Sequence, residues 1–491
     1  MTVIRYMICA ALASAAWPLA AQDAPRAERP PLSPVSLAAP VVTKHKGVFG
    51  GKAVAYTATV EPVVVDGMDG KPAARLVATS YIADGMAAGR PVAFVFNGGP
   101  IAPTTPLHMG AFGPKRIAIP NDLAADPATF KVVDNGYAPL DAADIVIFDP
   151  ANTGYSRTLP GIAPESQFSN VADGRQLAQL VQAWRRLHNR PTAPVFLIGE
   201  SYGTMRAVEA ADQLQKAGDP VAGIALLGQA VNIIEYAQRP NNIISYAVSL
   251  PTLAAIGWAH DKVERKGRSF DAFIKDARDY GAGEYLTVLF QGDRAPAERK
   301  AAVARRLQEF TGLPAEEFLR QRLKVAKTAY QRLLFPGKRL DTNDARYFVP
   351  DGRNSAPYAS RYEPEAARYF QDFLKVPAAA GVYALDNPAE DHFADWQWAE
   401  NKTPFGDWPY VGQLKRTMEA NPRLRLFVAN GYYDTQTTIG AMDYLVNQSG
   451  LPLDRVETHD YHGGHMFYTV EDSLKTFADD LRRFVATTTA R

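Results

Sequence analysis

Short apolar runs recur along this chain and alternate with longer segments that have the periodicity of an amphipathic helix. Such runs suit strands that are buried on both faces of a parallel sheet. The segments between them, at residues 168–188 and 204–216, place apolar side chains three and four positions apart and predict helices. Alternating strands and helices predict an α/β fold with a mostly parallel central sheet flanked by helices. The strands predicted from these runs are residues 92–96, 144–148, 195–198 and 223–228.

The segments on either side of this pattern differ from it. Residues 53–60 and 74–82 are strand-like and are bounded by Asp-Gly turn signals, which predicts an antiparallel entry to the sheet. After residue 228 the patterns are mainly helical, which predicts a helical cap inserted into the core. The core pattern then returns in two further strands and a closing helix. The predicted cap helices are 297–310, 315–333 and 363–374, and the returning core elements are 424–429, 455–461 and 470–485.

The N-terminus has the features of a secretory signal peptide. Arg5 supplies a positive charge, residues 6–16 are mostly apolar, and the small residues that end at Ala21 offer a cleavage site. This predicts an exported protein, periplasmic or secreted; a buried N-terminal helix is the alternative. Cys9 is the only cysteine, so the mature chain would have no disulfide. No later segment reaches the roughly 18 apolar residues that a membrane span needs.

Composition narrows the class of protein. The 491 residues carry 53 basic and 52 acidic side chains, a formal net charge of +1, so no nucleic-acid partner is indicated. An apolar content of 47% is ordinary for a soluble globular protein, and the oligomeric state cannot be read from the sequence. The predicted division is a signal peptide at 1–21, a flexible leader at 22–50, core segments at 51–228 and 401–491, and the cap at 229–400 between them.

The stretch Gly199-Glu-Ser-Tyr-Gly203 follows a predicted buried strand and precedes a predicted helix. It matches G-x-S-x-G, and a strand, sharp turn and helix is the context that a nucleophile elbow requires. In such an elbow the hydroxyl of Ser201 stands exposed at a helix N-terminus, which favours developing negative charge. The alternative is a Gly-Ser turn in which Ser201 only caps the helix.

A hydroxyl nucleophile needs a base, and the base needs a carboxylate that orients it. In the α/β-hydrolase order both follow the serine, each in a loop just past a late strand. Asp434 and His465 fit in order and position, and the glycines before His465 leave its loop room to aim the ring at Ser201. His462 is the alternative base. A zinc site built from His459, Asp460, His462 and His465 is a rival interpretation, although its spacing is not a helical H-E-x-x-H.

The oxyanion of an acyl-transfer intermediate needs backbone N–H donors. Asn97-Gly-Gly-Pro100 ends a predicted strand, the position from which such a loop reaches the elbow. Gly99 and Tyr202 are therefore the predicted oxyanion donors. A plain tight turn is the alternative for the two glycines.

These segments together resemble the serine carboxypeptidase family. The resemblance covers residues in order from about 94 to 466. It implies an α/β-hydrolase fold with a helical cap over the site and exopeptidase action at a free C-terminus. The segments that carry it are Phe96-Asn-Gly-Gly-Pro100, Asp144-Ile-Val-Ile-Phe-Asp-Pro-Ala-Asn-Thr-Gly-Tyr-Ser156, Gly199-Glu-Ser-Tyr-Gly203, Gly431-Tyr-Tyr-Asp434 and Gly464-His-Met466.

The resemblance also implies that Asn97 and Glu200 hold the terminal carboxylate of a peptide. A protonated Glu200 can share its proton with a carboxylate, which predicts an acidic optimum. The alternative for Glu200 is a structural hydrogen bond beneath the elbow. Two departures weaken the implied carboxylate site: Ile101 stands where the family usually has Gly, and Ala111 stands where it often has Glu.

The predicted function is that of a serine carboxypeptidase that acts on peptides by a Ser201, His465 and Asp434 mechanism, with no cofactor and no metal. An esterase or acyltransferase using the same triad is the alternative within this class of enzyme. A catalytically silent binding protein on the same fold is the alternative outside it.

Overall fold

The computed structural model describes residues 37, 39–350, 356–384, 396–399 and 408–490. The signal peptide predicted at 1–21 lies outside these residues, as does the predicted cap boundary at residue 400. The predicted flexible leader, 22–50, is wrong at its C-terminal end, because Val41–Phe49 forms an edge strand. Its side chains alternate between half-buried and exposed, a weak period-two signal that follows directly on a Pro- and Ala-rich stretch.

Among the described residues, ten of the fourteen strands belong to one sheet, and the other four form two short antiparallel pairs outside it. The antiparallel entry and every predicted core strand are present, with ends that differ by a few residues. The strands are β1 (Val41–Phe49), β2 (Lys52–Asp66), β3 (Pro72–Ala83), β4 (Val92–Phe96), β5 (Lys115–Ala118), β6 (Lys131–Asp134), β7 (Asp144–Phe148), β8 (Arg157–Thr158), β9 (Val195–Glu200), β10 (Gly223–Leu227), β11 (Arg339–Leu340), β12 (Phe348–Val349), β13 (Arg425–Gly431) and β14 (Val456–Tyr461).

The sheet has the strand order β1-β2-β3-β7-β4-β9-β10-β13-β14, with β8 paired to β3. Along this order, the neighbouring strands from β1 to β7 pair antiparallel. The neighbouring strands from β7 through β4, β9, β10 and β13 to β14 pair parallel. Helices cover both faces, which is why the central strands are apolar throughout. On β4, for example, Phe94 packs into the core of one face and its neighbours Ala93 and Val95 pack into the core of the other.

The helices that flank the sheet are α2, α3, α13, α14 and α15, and the helices α4 to α12 lie in the described part of the chain between β10 and β13. Helix α13 packs on α3. The helices are α1 (Thr105–Leu107), α2 (Asn170–Leu187), α3 (Gly203–Lys216), α4 (Ile233–Tyr236), α5 (Ile243–Ala247), α6 (Leu250–Ala259), α7 (Phe270–Tyr280), α8 (Leu286–Gln291), α9 (Ala297–Thr311), α10 (Ala315–Arg320), α11 (Lys327–Leu333), α12 (Tyr362–Arg368), α13 (Pro409–Ala420), α14 (Ile439–Gln448) and α15 (Glu471–Thr489).

The insertion between β10 and β13 has a hydrophobic core of its own, which Tyr433 and Ile439 join from the sheet side. The single helix predicted at 315–333 is wrong: it is broken into α10 and α11. Arg322 and Leu323 between them have positive φ values of 55° and 64°, which a continuing right-handed helix cannot accommodate. Within the described residues, no helix is both long and apolar enough to cross a membrane.

The carboxyl ends of β4, β9, β13 and β14 meet at one edge of the sheet. In parallel sheets this edge is where ligands bind, because the loops that follow adjacent strands converge there. The sheet order, the helical layers and the insertion after β10 make this an α/β-hydrolase fold, as the sequence predicts.

Candidate active site

Ser201 lies between β9 and α3, in the turn predicted to be a nucleophile elbow. Its φ is +59°, a left-handed conformation that costs a non-glycine residue free energy. Its backbone N–H donates to the carbonyl of Leu227 at 2.9 Å, which ties the turn to the end of β10. The residue is partly exposed, whereas its neighbours Glu200 and Tyr202 are buried.

The two glycines of the elbow are required by close backbone approach. A Cβ on Gly199 would lie 2.3 Å from the Gly203 carbonyl oxygen, and a Cβ on Gly203 would lie 2.9 Å from the Asn97 carbonyl oxygen. Such distances are too short for any other residue. The G-x-S-x-G spacing therefore reflects packing of the turn against both its own helix and the end of β4.

His465 and Asp434 form a buried pair at the ends of β14 and β13. The His465 Nδ1 atom lies 2.6 Å from Asp434 Oδ2, and the Asp434 side chain is fully buried. The other carboxylate oxygen of Asp434 accepts the backbone N–H groups of Gln436 at 2.7 Å and Thr437 at 3.1 Å. The Thr437 hydroxyl also bonds Asp434 Oδ2. These bonds hold the carboxylate in a single orientation toward the ring.

The His465 ring lies over the chain that follows β10. A Cβ on Gly228 would be 2.8 Å from His465 Cε1, and the residue before it, Leu227, accepts the Ser201 N–H. The ring and the serine thus flank the same backbone segment. Burial by itself lowers the pKa of His465, but the Asp434 carboxylate outweighs it and raises that pKa to about 9.

The neighbouring histidine and aspartate side chains point to other partners. His462 Nδ1 lies 3.0 Å from the Tyr433 hydroxyl, His459 Nδ1 lies 3.3 Å from Asp480, and Asp460 accepts a hydrogen bond from Arg278 at 2.6 Å. They do not converge with His465. Among the described residues, no group of three or more His, Cys, Asp or Glu side chains is arranged to hold a metal ion.

The segment Asn97–Pro100 lies directly on the elbow. A Cβ on Gly98 would be 2.6 Å from the Tyr202 backbone nitrogen, so this loop touches the start of α3. Gly99 has a φ of +108°, which turns its peptide away from the strand direction. Within the part of the chain that the structure describes, neither the Gly99 N–H nor the Tyr202 N–H donates to a protein acceptor. Both donors are free to bind a ligand oxygen.

Asn97 and Glu200 are hydrogen-bonded to each other beside the His465–Asp434 pair. Asn97 Nδ2 donates to Glu200 Oε1 at 2.6 Å, while Asn97 Oδ1 accepts the Leu107 N–H at 2.9 Å and so fixes the orientation of the amide. Glu200 Oε2 is buried and has no partner among the described residues. Burial raises the pKa of Glu200 to about 7, against the opposing charge of His465.

A buried ion pair beneath the elbow was not identified from the sequence. Arg206, on α3, bonds Asp173 on α2 at 2.7 Å and the Asn97 carbonyl at 2.6 Å. The Tyr202 hydroxyl donates to the same carboxylate at 2.8 Å. The network therefore holds both predicted oxyanion segments. The sequence does show Arg206 as a charged residue among the apolar positions of α3. It does not show the partner, because Asp173 lies on a different helix.

Ile101 and Ala111, the two residues that depart from the serine carboxypeptidase pattern, each change the local structure. Ile101 has a φ of +58°, so the backbone keeps a left-handed turn where the family usually has Gly, at the expense of strain in a β-branched residue. Ala111 provides no carboxyl group, and the residue before it, Gly110, lies against the Tyr468 ring and the Tyr362 hydroxyl. These two tyrosines were also missed from the sequence, because they lie far apart in the chain.

No protein-family model and no curated protein sequence matches this chain. Solved structures do match it at low identity. They include a carboxyl esterase from Bacillus coagulans (12% identity, 87% of this chain and 98% of that one, TM-score 0.37) and a proline iminopeptidase from Mycobacterium smegmatis (13%, 91% and 98%, 0.34). A thioesterase domain from the curacin biosynthetic pathway also matches (13%, 91% and 99%, 0.33). With TM-scores this low, the fold assignment rests on the sheet order and the elbow described above.

Proposed function

We propose that this protein is a serine carboxypeptidase that releases C-terminal residues from peptides. The observation that carries the proposal is the buried Asn97–Glu200 pair, at 2.6 Å, beside the predicted nucleophile and base. A carboxyl group buried there, whose Oε2 has no hydrogen-bond partner among the described residues, is suited to a ligand that accepts its proton. A peptide carboxylate is such a ligand, whereas an ester needs no such group.

In the acylation step, Ser201 Oγ attacks the scissile carbonyl while His465 takes the hydroxyl proton. Asp434 holds the imidazole in the tautomer that leaves Nε2 free to accept this proton. The resulting oxyanion is stabilised by the Gly99 and Tyr202 N–H groups. Each such donor is worth about 10²- to 10³-fold in turnover. Collapse of the intermediate passes the proton from His465 to the leaving amine and leaves an acyl group on Ser201.

Deacylation repeats the chemistry with water. His465 takes a proton from water, the hydroxide attacks the acyl carbonyl, and Ser201 leaves with the proton that His465 returns. The products are the shortened peptide and a free amino acid. No step requires a metal ion or an external cofactor.

The Asn97–Glu200 pair defines the end of the substrate. Neutral Glu200 donates a proton from Oε2 to the carboxylate, and Asn97 holds Oε1. An ionised Glu200 would face the substrate carboxylate as a like charge, which is unfavourable in a buried site. The pair thus favours a free C-terminus at acidic pH.

The test compares a blocked dipeptide as its free acid with the amide and methyl ester of the same dipeptide. We expect release of the C-terminal amino acid, with kcat/KM for the acid above that for the amide at pH 5 and a smaller ratio at pH 8. Equal cleavage of acid and amide at every pH would refute the carboxypeptidase proposal. A fluorophosphonate probe that fails to label Ser201 would favour the silent binding protein instead.

An esterase or acyltransferase that uses the same residues is the second candidate. The observation in its favour is Ala111, which leaves the predicted carboxylate site with one carboxyl group. Rapid cleavage of simple esters, together with no release of amino acids from peptide acids, would support it. The roles proposed for Ser201, His465 and Asp434 are the same in either case.

Export is part of the proposal, on the basis of the N-terminal sequence alone. An acidic optimum and a chain whose only cysteine precedes the predicted cleavage site both suit an extracytoplasmic enzyme.

A further inference from the structure

Three buried oxygen atoms beside the Asn97–Glu200 pair have no hydrogen-bond partner among the described residues. They are Glu200 Oε2, the Tyr362 hydroxyl and the Tyr468 hydroxyl. Tyr362 is 5% exposed and Tyr468 is 2% exposed. Buried polar atoms are almost always satisfied, so three unsatisfied ones in one place indicate a group that binds there.

The two tyrosines reach this place from different parts of the fold. Tyr362 begins α12, in the chain inserted between β10 and β13, and Tyr468 follows β14 a few residues after His465. Both contact Gly110: a Cβ there would be 2.6 Å from Tyr468 Cε2 and 3.2 Å from the Tyr362 hydroxyl. The absence of a side chain at Gly110 lets the Tyr468 ring and the Tyr362 hydroxyl approach the same point.

Both hydroxyl groups lie near Glu200. Tyr468 is within hydrogen-bonding reach of Glu200 and Asn97 and affects the pKa of Glu200, and Glu200 raises the pKa of Tyr362, while neither hydroxyl makes a hydrogen bond of normal geometry to a described residue. Burial is the larger cause and raises the pKa of both tyrosines above the usual value. Both therefore keep their protons and can donate them.

Arg116 provides positive charge on the same side. Its guanidinium is close enough to Tyr362 to oppose the rise in the tyrosine pKa, although it is also bonded to Glu471 at 2.7 Å. The surroundings of the three oxygens thus combine neutral O–H donors with a nearby cation. An anion that accepts several hydrogen bonds suits such surroundings better than a cation or an apolar group does.

We infer that Tyr362 and Tyr468 are specificity-determining residues that donate hydrogen bonds to the terminal carboxylate of the substrate, together with Glu200. The inference rests on the proposed function, since it names further residues of the same site. A carboxylate offers about four lone-pair sites, so it can accept all three O–H groups at once. The tyrosines then supply the donors that Ala111 cannot.

The experiment measures kcat/KM for a blocked dipeptide acid, its amide and its methyl ester in wild type, Tyr362→Phe and Tyr468→Phe. We expect each substitution to reduce kcat/KM for the acid about tenfold to a hundredfold, chiefly through KM. Cleavage of the ester and labelling of Ser201 by a fluorophosphonate should be unchanged. The preference for the acid over the amide should fall by the same factor.

Thermal unfolding distinguishes binding from a structural role. Because neither hydroxyl has a hydrogen-bond partner of normal geometry in the part of the chain that the structure describes, its removal should leave the Tm unchanged or higher. Tyr285→Phe is the matched control: its hydroxyl is buried in the insertion and donates to the Leu323 carbonyl at 2.6 Å. That substitution should lower the Tm and leave the preference for the acid unchanged.

The outcomes separate this inference from the proposed function. If wild type shows no preference for the acid, the carboxypeptidase proposal fails and the inference fails with it. If wild type prefers the acid and both Phe variants keep that preference, only the inference is overturned. Loss of ester cleavage and acid cleavage in parallel would also overturn it, because the tyrosines would then support the triad.

Discussion

Asn97 Nδ2 donates a hydrogen bond to Glu200 Oε1 at 2.6 Å, although the two residues are 103 positions apart in the chain. The bond joins the carboxyl ends of the neighbouring strands β4 and β9. It occupies one carboxyl oxygen and leaves the other, Oε2, beside His465 and Asp434 with no hydrogen-bond partner among the described residues. Two ionisable groups of the site, Glu200 and His465, are thereby coupled, and the pH dependence of the protein should reflect that coupling.

The first prediction concerns Glu200→Gln and activity. Because burial raises the pKa of Glu200 to about 7, the ratio of kcat/KM for a peptide acid to kcat/KM for its amide, in which the His465 ionisation cancels, should decline in wild type as pH rises through about 7. Gln keeps a donor but does not titrate, so this alkaline decline should flatten. The Glu200 charge also raises the pKa of His465, so the ascending limb for a neutral ester should move to lower pH in the variant. Identical pH profiles for wild type and variant would contradict the assignment.

The second prediction concerns the same substitution and stability. The pKa of Glu200 is raised on folding, so the protonated group contributes stability that is present below pH 4.5 and is lost as pH rises through about 7. A shift of this size corresponds to about 3 kcal/mol. Relative to wild type, Glu200→Gln should therefore gain about this much in free energy of unfolding between pH 4.5 and pH 8. Denaturant unfolding of both proteins at pH 4.5 and pH 8 measures this gain. The prediction would be wrong if the two proteins differed by the same free energy of unfolding at both pH values.

The third prediction concerns the triad. Ser201→Ala and His465→Ala should each reduce turnover by roughly five to six orders of magnitude, and the double variant should lose little more, because the residues act as a unit. Single-turnover assays with an activated ester provide the measurement. His462→Ala is the matched control, since its ring bonds Tyr433 rather than Asp434. Loss of activity in His462→Ala with full activity in His465→Ala would identify the other base.

The fourth prediction concerns the ion pair beneath the elbow. Arg206→Met leaves the Asp173 carboxylate buried without its cation, which should cost about 3–5 kcal/mol in free energy of unfolding. Lys216→Ala is the control on the same helix, because Lys216 is 73% exposed in its pair with Asp212 and should cost about 1 kcal/mol or less. If chemical denaturation gave equal losses in free energy of unfolding for the two substitutions, the buried ion pair would contribute no more to stability than the exposed one.

The fifth prediction concerns the N-terminus. Expression in a bacterial host followed by N-terminal sequencing of the exported protein should give Gln22 as the first residue, because the signal pattern ends at Ala21. The processed chain lacks Cys9, so reducing agents should leave its activity unchanged. Active cytosolic protein that retains Met1 would contradict export.

Much of the fold could be predicted because its signals are local. Uninterrupted apolar runs such as 92–96 can be buried on both faces only in a sheet covered by helices. The glycines of the elbow are visible in the sequence because any Cβ at Gly199 would collide with backbone. The sequence was less informative where the signal is weak: β1 is a half-exposed edge strand, and α10 and α11 are separated by two residues with positive φ.

What the sequence by itself determined is the α/β order of elements and the positions of Ser201, Asp434 and His465 at the ends of strands. Only the tertiary structure decided which side chains face one another. Tyr362 and Tyr468 meet Glu200, and Arg206 meets Asp173, across elements that are distant in the chain. No periodicity records such pairs, because they depend on how strands are ordered and helices packed. The same packing excludes water, which sets the pKa of Glu200 and leaves its second oxygen available to a ligand.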